Sequence, residues 1–117
     1  MDAWIAAFRN SCAGLIFAVR TERAVRQEVL ALIVVIPAAL IIGQTLWIKI
    51  ALICVVLLLM AVELLNTCIE KLCDHVTPAI HPQIKVVKDM GSAAVLAALL
   101  IVASVWMAAI AQTLGLV

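Results

Sequence analysis

Long apolar runs alternate along the chain with short polar segments. Three of these runs reach the roughly 20 residues that cross a hydrocarbon core, and they predict membrane helices over 29–48, 50–74 and 89–115. Apolar residues surround each helix on all sides, which is typical of helices packed in lipid or in a bundle. The polar break Gly43-Gln44-Thr45 separates the first two spans, so we expect them to form a tight helical hairpin.

The N-terminal segment 2–26 has a different pattern, because its apolar residues recur at helical spacing with polar residues between them. They are Trp4, Ile5, Phe8, Cys12, Leu15, Ile16 and Val19. A helix with one apolar and one charged face lies along a membrane surface rather than across it. Before the last span, Pro78 and Pro82 predict a loop from Thr77 to Lys85. The prediction is an all-α membrane protein in one domain, residues 1–117, with an N-terminal amphipathic surface helix and three transmembrane helices.

Composition and charge support this class and orient the chain. Hydrophobic residues make up 68% of it and the mean hydropathy is +1.28, whereas soluble domains contain roughly 45–50% apolar residues. Four of the eight cations precede the first span, Lys71 lies near the end of the second, and Lys85 and Lys88 precede the third, so only Lys49 lies at the opposite end. This asymmetry predicts a cytoplasmic N-terminus. Every acid falls on the same side, and no basic run with interleaved aromatics indicates a nucleic-acid partner.

A polar stripe interrupts the second span in the stretch VELLNTCIEKLCD, residues 62–74. At about 100° per residue, Glu63 and Glu70 project within roughly 20° of each other, with Asn66 about 60° away. The two glutamates are about 10 Å apart along the axis, so we expect two roles at two depths. Glu63 lies deeper, where acids are usually functional, and could act as a general base. Glu70 lies nearer the cytosol and could hold Mg²⁺ with its attached phosphates.

Two further polar clusters flank this stripe on the same side of the membrane. Glu22, Gln27 and Glu28 lie where the surface helix enters the first span. Lys88 opens the last span, where Asp89 or Ser92 could cap the helix and the lysine could neighbour a phosphate.

The sequence pattern also allows other roles for these residues. The acids could pair with Lys71, Lys88 or an arginine at the helix ends. An irregularly spaced zinc site could be formed by Cys68, Cys73, His75 and His81. A small proton- or ion-translocating subunit could also use an intramembrane glutamate, and a purely structural oligomer would need none of the acids.

Three segments together resemble the prokaryotic integral-membrane diacylglycerol kinase family. They are RTERAVRQE, VELLNTCIEKLCD and KDMGSAAVL, and the resemblance runs from about Ser11 to the C-terminus. It implies transfer of the γ-phosphoryl group of MgATP to a lipid hydroxyl, giving phosphatidic acid. It also implies a homotrimer with shared active sites in the bacterial inner membrane, with the active site cytoplasmic.

The resemblance also implies a role for each polar cluster. Glu63 resembles the general base, with Asn66 orienting it or the phosphates. The implied magnesium ligands are Glu22 and Glu70. The implied ATP contacts add His81, Lys88 and Asp89, and the implied lipid contacts are Gln27, Glu28, Glu63 and Ser92. Undecaprenol kinases are similar at the same positions and are the alternative, but the form KDMGSAAVL favours diacylglycerol as the acceptor.

Overall fold

Four α-helices account for almost all of residues 2–117, which the computed structural model describes. They are α1 (Asp2–Thr21), α2 (Arg23–Ile42), α3 (Leu46–Val76) and α4 (Pro82–Thr113), and no described residue is in a strand. Three of them, α2, α3 and α4, are long and apolar enough to cross a membrane. The predicted all-α fold with three membrane helices is therefore confirmed.

The first two helices meet at a single non-helical residue. Glu22 adopts an extended backbone conformation, with φ −105° and ψ 118°, so α1 ends at Thr21 and not at the predicted residue 26. The first membrane helix consequently begins at Arg23 rather than 29, and ends at Ile42 rather than 48. This one-residue elbow separates the surface helix from the first span.

The last membrane helix begins at Pro82, earlier than the predicted residue 89. Proline interrupts a helix from within but is favoured in its first turn, where its missing N–H group has no intrahelical partner to lose. His81 caps this turn, since its Nδ1 accepts a hydrogen bond of 3.2 Å from the Gln83 backbone N–H. Asp89 and Ser92 consequently lie inside α4 and do not cap it.

The hairpin between α2 and α3 requires a glycine for steric reasons. A Cβ atom on Gly43 would lie 2.5 Å from the Lys49 Cγ atom and 2.9 Å from the Ala39 carbonyl oxygen. Two residues later the Thr45 hydroxyl caps α3, accepting a hydrogen bond of 3.3 Å from the Ile48 N–H. The predicted break at residues 43–45 is the observed turn.

The helices pack in a shallow row rather than around a closed core. α3 packs most extensively on α4 and next on α2, while α1 packs on α2, and the chain measures 53 × 41 × 23 Å. The small buried cluster consists of Ala39, Leu52 and Ala109. Small residues at such contacts let membrane helices approach closely.

An indole hydrogen bond joins α4 to α3 beside this cluster. The Trp106 Nε1–H group donates to the Leu52 carbonyl oxygen at 3.2 Å. We expect Trp106→Phe to lower the free energy of unfolding by about 0.6 kcal/mol, and by no more than about 1.7, as for other interhelical hydrogen bonds in membranes. Unfolding in mixed detergent micelles measures this. Trp47→Phe, at a side chain that is 78% exposed, is the control, and equal losses in both variants would contradict the prediction.

Candidate active site

The polar stripe of α3 forms the centre of the site. The Asn66 Nδ2 amide donates a hydrogen bond to the Glu70 Oε1 atom at 3.4 Å. Asn66 is 8% exposed, and its Oδ1 atom is buried without a hydrogen-bond partner among residues 2–117. Glu63 is half-buried and Glu70 is exposed, and their carboxylates are close enough to interact electrostatically. The stripe thus presents two acids with a buried amide between them.

The first membrane helix adds an acid that faces this stripe. Glu28 is half-buried, and its charge interacts with that of Glu63. One of its carboxylate oxygens, Oε2, is buried and accepts no hydrogen bond from any part of the chain that the structure describes. A buried carboxylate oxygen with no partner favours a ligand that brings a hydrogen-bond donor. Gln27, the adjacent residue, is exposed.

The last membrane helix closes on the stripe through a glycine that the sequence analysis did not select. A Cβ atom on Gly91 would collide with the Asn66 Oδ1 atom, and it would lie 3.4 Å from the Asn66 Cγ atom. The backbone of α4 therefore passes directly beside the amide because position 91 has no side chain. A glycine inside a helix costs about 1 kcal/mol relative to alanine and often marks close packing, which is the signal that could have identified it.

Two ion pairs lie at the same end of α4. The Lys88 ammonium contacts the Asp74 Oδ1 atom of α3 at 2.6 Å, and Asp89 pairs with Lys85 of its own helix at 2.6 Å. The alternative that an acid of this stretch simply pairs with a nearby cation is therefore correct for Asp74. Ser92 is exposed nearby.

The elbow residue Glu22 pairs with α3. Its Oε1 atom lies 2.7 Å from the Lys71 Nζ atom, and the Thr21 hydroxyl donates to the same oxygen at 3.2 Å. The Lys71 ammonium lowers the pKa of the Glu22 carboxyl below its ordinary value. The carboxylate therefore stays ionised at neutral pH, and it loses its charge only as the pH falls through that lowered pKa.

Two cavities adjoin these groups. The larger, about 600 Å³, lies between α1 and α3, and Glu22 and Lys71 are the charged residues of its mainly apolar lining. The smaller, about 310 Å³, lies against the loop between α3 and α4. His81 and Lys88, both implied nucleotide contacts, line this second cavity together with Asp74.

Within residues 2–117, no three His, Cys, Asp or Glu side chains gather as a metal-binding group. The zinc site considered from Cys68, Cys73, His75 and His81 is therefore not formed.

The fold and the site are those of a membrane protein with three spans, in which acids, an amide and a lysine lie together towards one end of the helices. A sequence model of the family described as prokaryotic diacylglycerol kinase matches residues 9–110. The chain belongs to this family, and it is accordingly an enzyme, a lipid kinase.

Curated relatives agree with the family match. The diacylglycerol kinase of Pseudomonas aeruginosa is 43% identical over 82% of this chain and 78% of its own length. That of Haemophilus influenzae is 39% identical over 84% of this chain and 83% of its own. That of Escherichia coli K12 is 36% identical over 73% of this chain and 70% of its own.

Proposed function

We propose that this chain transfers the γ-phosphoryl group of MgATP to the hydroxyl of diacylglycerol, giving phosphatidic acid by direct in-line transfer. The observation that carries the proposal is the interaction of Glu28 on α2 with Glu63 on α3, where the Glu28 Oε2 atom is buried with no hydrogen-bond partner in the described residues. A lipid hydroxyl is a donor of the kind that this oxygen needs. Family membership supplies the reaction class.

Glu63 is the proposed general base, and Asn66 the residue that orients the reacting groups. As the lipid oxygen bonds to the γ-phosphorus, its proton passes to the Glu63 carboxylate. The bond from the γ-phosphorus to the bridging oxygen breaks, and ADP leaves with the electron pair. Phosphoryl transfer needs in-line positioning and charge neutralisation more than covalent catalysis, which suits a site made of acids, an amide and a lysine.

Glu22 and Glu70 are the proposed magnesium ligands. Mg²⁺ usually takes only one or two protein carboxylates beside phosphate oxygens and water, so either glutamate alone could hold the ion together with the ATP phosphates. Glu70 is exposed, and Glu22 is held ionised by its neighbouring ammonium. When bound, the ion supplies positive charge to the phosphate oxygens.

The remaining site residues divide between the two substrates. Lys88, Asp89 and His81 are the proposed ATP contacts, and two of them already share the cavity beside the α3–α4 loop. Gln27, Glu28, Glu63 and Ser92 are the proposed lipid contacts. Lys88 supplies a cation at the end of the site, where exposed ion pairs exchange partners at little cost.

The length of α3 supports a site at the membrane boundary. Its 31 residues extend about 46 Å at 1.5 Å per residue, well beyond a hydrocarbon core of about 30 Å. With Lys49 at the outer boundary, Glu63 falls inside the core and Asp74 beyond it. We place this boundary at the cytoplasmic face of the bacterial inner membrane, because most cations lie there.

The shallow row of helices supports a homotrimer with shared active sites. The chain is 23 Å in its thinnest dimension, about two helix diameters, so its helices leave the acid stripe open on one side. Neighbouring copies would supply the missing wall.

Phosphorylation assays in mixed micelles test the proposal, with radiolabelled ATP and either diacylglycerol or undecaprenol as acceptor. We expect labelled phosphatidic acid. Labelling of undecaprenol alone would keep the mechanism and change the substrate. Absence of product from both would overturn the proposal and return attention to an ion-translocating role, which predicts transport without ATP consumption.

A further inference from the structure

Lys71 has a specific arrangement that the proposed reaction does not use. Its ammonium lies 2.7 Å from the Glu22 carboxylate and 5.6 Å from the centre of the Phe17 ring. Both partners belong to the end of α1 and the elbow after it, whereas Lys71 belongs to α3. The lysine therefore fastens the surface helix to the second membrane helix.

The pair also lies away from the acid stripe. At about 100° per residue, Lys71 projects about 100° from Glu70 around α3. It points to the side of the cavity between α1 and α3, where it and Glu22 are the charged lining residues. In the conformation described here, Glu22 is thus engaged by a cation of the protein itself, on a different face of α3 from the stripe.

A carboxylate held by an ammonium is a poorer ligand for a divalent cation, because the two cations repel each other and share one charge. We propose that Lys71 is a displaceable counter-ion of Glu22, which competes with Mg²⁺ for this carboxylate and so sets the metal affinity of the enzyme. The inference rests on the proposed role of Glu22 as a metal ligand. The Lys71 side chain is 51% exposed, and exposed ion pairs break at little cost, so a metal ion can displace the lysine.

Manganese binding measures this competition without turnover. The full-length chain in detergent, free of nucleotide and lipid substrate, is titrated with Mn²⁺ and the free ion is followed by electron paramagnetic resonance. We expect Lys71→Met to lower the dissociation constant about two- to fivefold, the range set by the strength of an exposed ion pair. Lys71→Arg keeps the charge and should bind as wild type does. Arg9→Met removes one cation elsewhere on the same side of the membrane and should also leave binding unchanged.

The same titration in a Glu22→Gln background shows whether Lys71 acts through this carboxylate. We expect the gain from Lys71→Met to disappear there. A Lys71→Met protein that binds Mn²⁺ no tighter than wild type, or a gain that survives without Glu22, would overturn the inference. So would a wild-type protein whose Mn²⁺ binding is insensitive to Glu22→Gln. If the kinase is active and any of these three results is found, only this inference is lost. If the expected binding pattern is found in a protein without kinase activity, only the proposed function is refuted.

Discussion

Replacing Glu63 by glutamine should reduce phosphatidic acid formation by about 10²- to 10⁴-fold, the usual contribution of a general base. Glutamine keeps the size of the side chain but accepts no proton from the lipid hydroxyl. The measurement is the initial rate with radiolabelled ATP and diacylglycerol in mixed micelles. Circular dichroism and size-exclusion chromatography should show the helix content and the oligomer of the wild type. Asp2→Asn removes an acid from the first turn of α1 and should leave the rate unchanged.

Glu28→Gln separates the two acids that face each other. If Glu63 is the base, Glu28→Gln should weaken lipid binding and raise KM for diacylglycerol more than it lowers kcat. A Glu63→Gln enzyme within a few-fold of wild type would remove Glu63 from this role. A large loss of kcat in Glu28→Gln alone would transfer the role to Glu28.

Adding a methyl group at Gly91 should damage both stability and turnover. The new Cβ atom collides with the Asn66 amide, so either α4 moves away or Asn66 leaves its position. Overpacking of this kind typically costs about 1–3 kcal/mol, and we expect Gly91→Ala to lower turnover at least tenfold. The control is Gly14→Ala, where a Cβ atom meets nothing within 4 Å. In a helix that change should be neutral or stabilising by up to about 1 kcal/mol.

A double variant tests whether the losses of stability and of turnover in Gly91→Ala both come from the collision with Asn66. In Gly91→Ala/Asn66→Ser the shorter serine side chain no longer collides with the new Cβ atom. This variant should regain the free energy of unfolding but not the turnover, because the orienting amide is gone. Detergent unfolding and the phosphorylation assay measure the two quantities separately. A Gly91→Ala protein with wild-type stability and turnover would show that the contact with Asn66 is not needed.

The architecture was predictable because apolar runs of membrane length are a strong signal, but the helix ends were not. A proline such as Pro82 predicts a break in a helix, yet in the first turn of α4 it is compatible with the helix. The elbow at Glu22 has no glycine or proline to mark it. Its position depends on how α1 packs on α2, which a local pattern does not contain.

The candidate site was predictable within one helix and not between helices. Helical spacing alone placed Glu63, Asn66 and Glu70 on one face, and the Asn66–Glu70 hydrogen bond lies on that face. The facing of Glu28 and Glu63 depends on the rotation and depth of α2 against α3, which only tertiary packing fixes. The contact of Gly91 with Asn66 likewise requires the close approach of α4.

Different kinds of contact hold the helix bundle together at its two ends. At the end of the bundle that carries the α2–α3 hairpin turn, the Thr113 hydroxyl donates a hydrogen bond to the Ile42 carbonyl at 2.8 Å. The Gln44 amide donates another to the Gln112 carbonyl at 3.3 Å. At the acid end, the ion pair of Lys88 with Asp74 and the close packing of Gly91 on Asn66 hold α4 to α3. The hairpin end of α4 therefore has the more extensive polar contacts, and Lys88 lies about 36 Å from Gln112 along the helix. A tilt of about 2° about the hairpin end would move the lysine by about 1 Å over that length.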